Sequence, residues 1–170
     1  MGTDRIVIAH PDPSWSAAFA ALRDRLLPAF AGLPVTIEHI GSTAVPGLAA
    51  KPIIDLAVVV PEPNDIPSGI ECLASLGYEH EGDLGVPGRE AFRSGLPDPA
   101  HHLYLAASDS PALVAQLAFR DALRADAAVA REYEELKRRL AATVGHDRAA
   151  YTDGKTAFVT SVLRSIEVRA

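Results

Sequence analysis

The spacing of apolar residues divides the chain into segments with different periods. Trp15, Phe19, Leu22 and Leu26 recur at steps of four, three and four, one face of a helix, and Asp12-Pro13-Ser14 ahead of them supplies a capping side chain and a proline suited to a first turn. Pro28, Gly32 and Pro34 end that helix, and Val35-Thr36-Ile37-Glu38-His39-Ile40 alternates as a strand does. Ile53 to Val60 is almost continuously apolar, as in a central strand covered on both faces. Pro61, Pro63 and Pro67 predict a stiff connector, followed by a short helix over 70–76 that Gly77 closes. Shorter strands are predicted over 78–81, 89–93 and 101–106, separated by Gly- and Pro-rich turns. The period then becomes helical. Ser110-Pro111 starts a helix to about Arg124, Asp126 caps a second with Val129, Tyr133, Leu136 and Leu140 on one face, and a third carries Phe158, Val162 and Ile166.

This order predicts an α+β fold, a small mixed sheet with helices packed on it, rather than a doubly wound parallel one. The 170 residues are expected to form one domain, with the sheet core over 1–108 and a helical part over 109–170. A hydrophobic fraction of 48% suffices for a core and argues against disorder. The net charge of -6 disfavours sequence-independent binding to nucleic acid or anionic membrane. That charge is uneven: residues 1–117 hold 6 Lys+Arg against 14 Asp+Glu, and residues 118–170 hold 10 against 8. Cys72 is the single cysteine, which excludes an internal disulfide and any CxxC motif and favours a reducing compartment. Neither a secretory leader nor an apolar run of bilayer length is visible, so a cytoplasmic, soluble protein is expected.

The chemistry concentrates in residues 37–56. A strand ends at Gly41-Ser42, a turn-rich segment follows, and the next strand presents Asp55. Glycine lets a phosphate approach the backbone, and Ser42 and Thr43 offer hydroxyls and N–H donors. A carboxylate on the neighbouring strand suits Mg²⁺ or Mn²⁺ bound together with substrate phosphates. These features point to a nucleoside triphosphate site that is neither a P-loop nor a Rossmann fingerprint, since GxxxxGK[ST] and GxGxxG are both absent.

The string His39-Ile40-Gly41-Ser42-Thr43-Ala44-Val45-Pro46-Gly47-Leu48-Ala49-Ala50-Lys51-Pro52-Ile53-Ile54-Asp55 resembles the signature of the GrpB family within the nucleotidyltransferase superfamily. Pro13-x-Trp15, Leu76-Gly77-Tyr78, His102-Leu103, Phe119-Arg120-Asp121-x-Leu123-Arg124, Glu132-Tyr133-x-x-Leu136-Lys137 and Tyr151-x-x-x-Lys155 are similar to it as well. The resemblance implies a nucleotidyltransferase-like fold in which a Gly-Ser turn and strand-borne carboxylates grip a metal–nucleotide complex. It supplies no substrate. Active superfamily members carry carboxylates at i and i+2, where alternation puts both on one face. Here Ala57 follows Asp55, and the later strand presents His102 and Tyr104 where the family more often has His-Leu-His. The metal set implied is Asp55 with His102, and histidine suits Mn²⁺ or Zn²⁺ better than Mg²⁺.

Other residues carry two open readings each. Thr43 and Ser42 read as the cap of a short helix or as phosphate binders, two readings that use the same N–H groups and do not exclude each other. Lys51 is a solvated turn lysine or a phosphate contact. His39 is a satisfied strand histidine or a site member, and of His101 and His102 at most one joins the site because neighbours on a strand face opposite ways. Arg89 and Arg93 either reach one anion from a shared strand face or are exposed hairpin charges. Tyr151 and Lys155 share a face if their segment is helical, against a base and a phosphate or as ordinary surface pairing, and Gly154 weakens the helix. Arg120 and Lys137-Arg138-Arg139 read as solvated helix faces without a role. The expected function is metal-dependent nucleotidyl transfer to an unknown acceptor. Its rivals are a non-catalytic nucleotide- or phosphometabolite-binding module on the same fold and a His39/Asp55/His102 metal hydrolase, which lacks HExxH.

Overall fold

The computed structural model describes residues 5–95 and 99–167. Helix α1 spans Ser14–Leu26, strand β1 Thr36–Ile40 and strand β2 Ile54–Val60. Helix α2 covers Ile66–Ser75, and strands β3, β4 and β5 cover Tyr78–Gly82, Glu90–Ser94 and His101–Ala107. Helices α3 (Pro111–Ala125), α4 (Ala127–Val144) and α5 (Arg148–Glu167) complete the chain. The strands form one mixed sheet in the order β1-β2-β5-β4-β3, antiparallel except for the parallel pair β2–β5. The fold is α+β, as the pattern of apolar positions implies.

Alternation along β2 sends Ile54, Leu56, Val58 and Val60 to one face, where α1 contributes Trp15, Leu22 and Leu26 and α2 contributes Leu73 to the main core. The opposite face carries Ile40, Ala57, Val59 and Ala106 under Leu113 of α3. Fully burying a leucine or isoleucine contributes about 1.5–3 kcal/mol relative to exposure, so these two layers fix which face of β2 meets α3. Helices α4 and α5 pack beside α3, around Leu123, Tyr133 and the loop residues Val45 and Leu48.

Two local expectations are corrected. Helix α2 begins at Ile66 rather than at 70, because Pro67 sits in the first turn, where its missing N–H costs nothing. Helix α5 runs straight through Gly154. An added Cβ there would stand 2.5 Å from Leu140 Cδ2 of α4, so glycine is what lets the two helices approach this closely. Asp126 and Ser110 cap as expected, the Asp126 carboxylate accepting from the Ala128 and Val129 N–H groups and the Ser110 hydroxyl from that of Leu113. No helix among the described residues is long and apolar enough to cross a membrane.

Candidate functional site

Register decides what stands next to Asp55. Ile40 of β1 pairs with Asp55 on one side, and His102 of β5 pairs with it on the other. Directly paired residues share a sheet face, so Asp55 and His102 project together. The His102 Nδ1–H donates to Asp55 Oδ1 at 2.8 Å. The Asp55 side chain is 28% exposed and that of His102 54%, so both open onto solvent. His101 faces the other way, bonding Tyr78 Oη at 2.8 Å and the Pro99 carbonyl at 2.6 Å.

Gly41 lies against that carboxylate. Its φ of 72° and ψ of -173° fall in a region that only glycine occupies readily. A Cβ would meet Asp55 Oδ2 at 2.5 Å. Both constraints demand glycine, and the 3₁₀ turn Ser42–Ala44 follows at once.

The turn is held by α3 and α4. Arg124 donates to the Ala44 carbonyl through Nε at 2.9 Å and Nη2 at 2.7 Å. Arg120 donates to the His39 carbonyl at 3.0 Å and to Glu38 at 2.8 Å. From α4, Lys137 Nζ donates to Ser42 Oγ at 3.0 Å and to the Ala49 carbonyl at 2.5 Å, while Glu134 accepts the Ala49 N–H at 3.0 Å. Arg120 and Lys137 are thus not solvated helix charges: the Arg120 side chain is 11% exposed and Lys137 2%. Arg138 and Arg139, by contrast, are exposed. The signal for Lys137 lay in the helix period, since it stands four residues after buried Tyr133 and four before buried Ala141 on the apolar stripe.

A cleft of about 250 Å³ gathers Ser42, Thr43, Lys51, Asp55, His102, Tyr104, Lys137, Tyr151 and Lys155 along its walls. The Lys51 and Lys155 ammonium groups each lie 4.4 Å from the centroid of the Tyr151 ring. Burial is the main force on all three lysines. It pushes Lys137 down to about 7, opposed by Glu134 and helped by Lys155, and Lys155 down to about 8, helped by Lys51. Lys51 is lowered by burial and by Arg148.

The remaining candidates fall outside this group. His39 stacks on Phe19 with ring centroids 4.6 Å apart, and its Nε2 hydrogen-bonds Thr43 Oγ1 at 2.9 Å. Burial, with Arg124 second, lowers it to about 4, so it is neutral and supports the turn from behind. Arg89 and Arg93 do not converge on one anion, each being engaged by a different neighbour. Arg89 lies 4.1 Å over the Tyr104 ring, and Arg93 pairs with Glu79 on β3. Among the described residues no group of three or more His, Cys, Asp or Glu is placed to hold a metal ion. A hydrolase centred on His39, Asp55 and His102 therefore lacks its ligand cluster, and Asp55 with His102 is the pair available to a cation.

A solved structure, the conserved protein GrpB from Enterococcus faecalis, superposes with a TM-score of 0.79 at 32% identity, covering 94% of this chain and 96% of that one. The UPF0157 protein PA4798 of Pseudomonas aeruginosa is 39% identical, covering 94% of this chain and 67% of that protein. The UPF0157 protein YqkA of Bacillus subtilis is 35% identical over 91% of this chain, which spans 45% of YqkA's length. Two more distant structures share the fold alone. The GLD-2/RNP-8 complex gives a TM-score of 0.59 at 17% identity, covering 88% of this chain and 60% of that one. The Cid1 poly(U) polymerase with MgGTP bound gives 0.55 at 15%, covering 77% and 44%. A family model described as GrpB protein matches residues 5–165, and the chain belongs to the GrpB family, on a nucleotidyltransferase-like fold.

Proposed function

We propose that the protein binds a nucleoside triphosphate together with one divalent cation and transfers the nucleotidyl group to a small acceptor. The observation that carries this reading is the convergence of Lys51, Lys137 and Lys155 with Ser42 on the single carboxylate of Asp55. Three lysines partly stripped of water form an environment whose missing partner is a polyanion. A triphosphate supplies it: Ser42 and the ammonium groups hold its oxygens, and the missing side chain at Gly41 lets the turn pack directly against the Asp55 carboxylate.

The donor set favours a single cation. Asp55 and His102, with phosphate oxygens completing the shell, suit one ion, and the imidazole favours Mn²⁺ over Mg²⁺. They do not suit two. Ala57 occupies the i+2 position and is sealed under Ile40, Val59, Ala106 and Leu113. When bound, the ion neutralises charge on the phosphates. The protein's own contribution is to position and to neutralise, through the three lysines and the turn.

The same Ala57 favours a second reading, a non-catalytic nucleotide-binding module. The two separate on turnover. The protein is incubated with ATP labelled at its α-phosphate, Mn²⁺ and a small-metabolite extract, and binding is followed by calorimetry. Label appearing on an acceptor supports transfer, binding without transfer supports the module, and absence of ATP binding overturns both.

A further inference from the structure

A second pocket, of about 190 Å³, adjoins the lysine cleft and shares Ser42, Asp55 and Tyr104 with it. Beyond those shared residues the chemistry changes. Ile40, Phe119, Leu123 and Tyr133 make its walls, with the Gln116 amide beside them. The Phe119 and Tyr133 rings meet edge to face at 5.1 Å, and Phe158 stacks behind Tyr133 at 5.4 Å, so the aromatic wall is fixed before any ligand arrives. No lysine lines this pocket. Its one cation, Arg120, is already engaged by Glu38 at 2.8 Å and Asp121 at 2.8 Å. The Gln116 amide makes no hydrogen bond among the described residues.

We infer that this pocket receives the acceptor, and that the acceptor is an uncharged small molecule bearing a hydroxyl on a flat apolar body rather than the end of a polynucleotide. The inference rests on the nucleotidyl-transfer reading. Displacement at phosphorus is in line: the acceptor oxygen attacks the α-phosphorus, the new O–P bond forms, and the bond from that phosphorus to the α–β bridging oxygen breaks. Pyrophosphate leaves with the electron pair, and the hydroxyl proton passes to solvent. With the leaving phosphates on the lysines, the incoming oxygen comes from the side of Asp55 that has no lysines. A polynucleotide would bring a phosphate with every residue and needs free cations along its path. This pocket offers none. It offers aromatic faces, which reward a planar apolar body, and one unpaired amide for a polar substituent.

The test uses the full chain with Mn²⁺ and an ATP analogue carrying a methylene between the α- and β-phosphorus atoms. Three probes are compared: 2-naphthol, the anionic 4-hydroxybenzoate, and a short fluorescein-labelled oligouridylate. The expected results are a saturation-transfer signal for 2-naphthol, intermolecular NOEs from it to the Leu123 methyls, and weaker binding of both anionic probes. Gln116→Trp, which fills the pocket, should weaken 2-naphthol by about tenfold or more while the analogue's affinity stays within about twofold. Lys155→Met should do the reverse. Tighter binding of the oligouridylate overturns the inference, as do NOEs from 2-naphthol that avoid Leu123. An equal loss of analogue affinity in Gln116→Trp also overturns it, by assigning the pocket to the nucleoside. If the analogue fails to bind wild-type protein at all, the nucleotidyl-transfer reading falls, and the NOEs still report separately whether the pocket accepts an uncharged aromatic body. Should Gln116→Trp not fold, the wild-type NOEs and Lys155→Met carry the decision.

Discussion

The strand–turn–strand segment of residues 37–56 and the helix pair α4–α5 supply the two sides of the cleft, and they treat their charges differently. Asp55 stays 28% exposed and has an imidazole N–H at 2.8 Å. Lys137 is 2% exposed, donates only to neutral oxygens, and is pushed down to about 7 by burial against the pull of Glu134. One side holds a carboxylate already paired with an imidazole, and the other buries an ammonium group at a cost to its charged form. Native lysines near 7 and 8, against an ordinary 10.5, release protons that the unfolded chain keeps. The unfolded state therefore binds more protons between about pH 7 and 10.5, and the contribution of these lysines to stability rises with pH across that window. An anion bound between them reverses the shift and takes up protons.

The sharpest way to break this contrast is Lys137→Met. Losing a buried, hydrogen-bonded cation opposite phosphate should weaken the ATP analogue by about 2–5 kcal/mol in calorimetry. It should also lower the melting temperature, because the Ala49 carbonyl and Ser42 hydroxyl lose their donor. Unchanged affinity would show that α4 is only a brace. Gly41→Ala tests the other side. Positive φ and a Cβ 2.5 Å from Asp55 Oδ2 should cost about 1–3 kcal/mol in urea unfolding, and an unshifted midpoint would mean the turn is not constrained.

Next in size is pH. Affinity for the analogue should fall by about tenfold between pH 6.5 and 9 as the lysines lose their protons, with proton uptake visible when buffers of different ionisation enthalpy are compared. A flat profile would sever the lysines from the ligand. The smallest effect belongs to Gly154→Ala. Alanine gains about 1 kcal/mol of helix propensity, set against moving the Leu140 terminal methyl, a flexible obstacle. Stability should change by less than about 1 kcal/mol. A loss as large as that of Gly41→Ala would show that the α4–α5 spacing is as rigid as the turn.

These differences also explain what was legible in the sequence. The sheet was, because alternation and an apolar run are local patterns, and so was the Gly41–Asp55 unit, because a carboxylate in such a run demands a reason. Lys137 was hidden by its neighbours: in Lys137-Arg138-Arg139 three like charges read as one patch, while the helix turns only the first inward. Arg120 was hidden by distance, its partner Glu38 lying 82 positions earlier. Phe119, Leu123 and Tyr133 fell within strings similar to the family, but nothing local showed that they line one pocket, since its walls come from β1, β5, α3 and α4, which meet only through the tertiary packing.

The bonds from Lys137 to Ser42 and Ala49 span 95 and 88 positions. During synthesis the sheet and its carboxylate can emerge from the ribosome well before the helices that carry Lys137 and Lys155. A partly made chain therefore presents Asp55, the Gly41 turn and Lys51 without Lys137 and Lys155, and the three lysines come together only when the last two helices dock. On the proposed function, slow docking of α4 and α5 would delay binding without delaying the sheet.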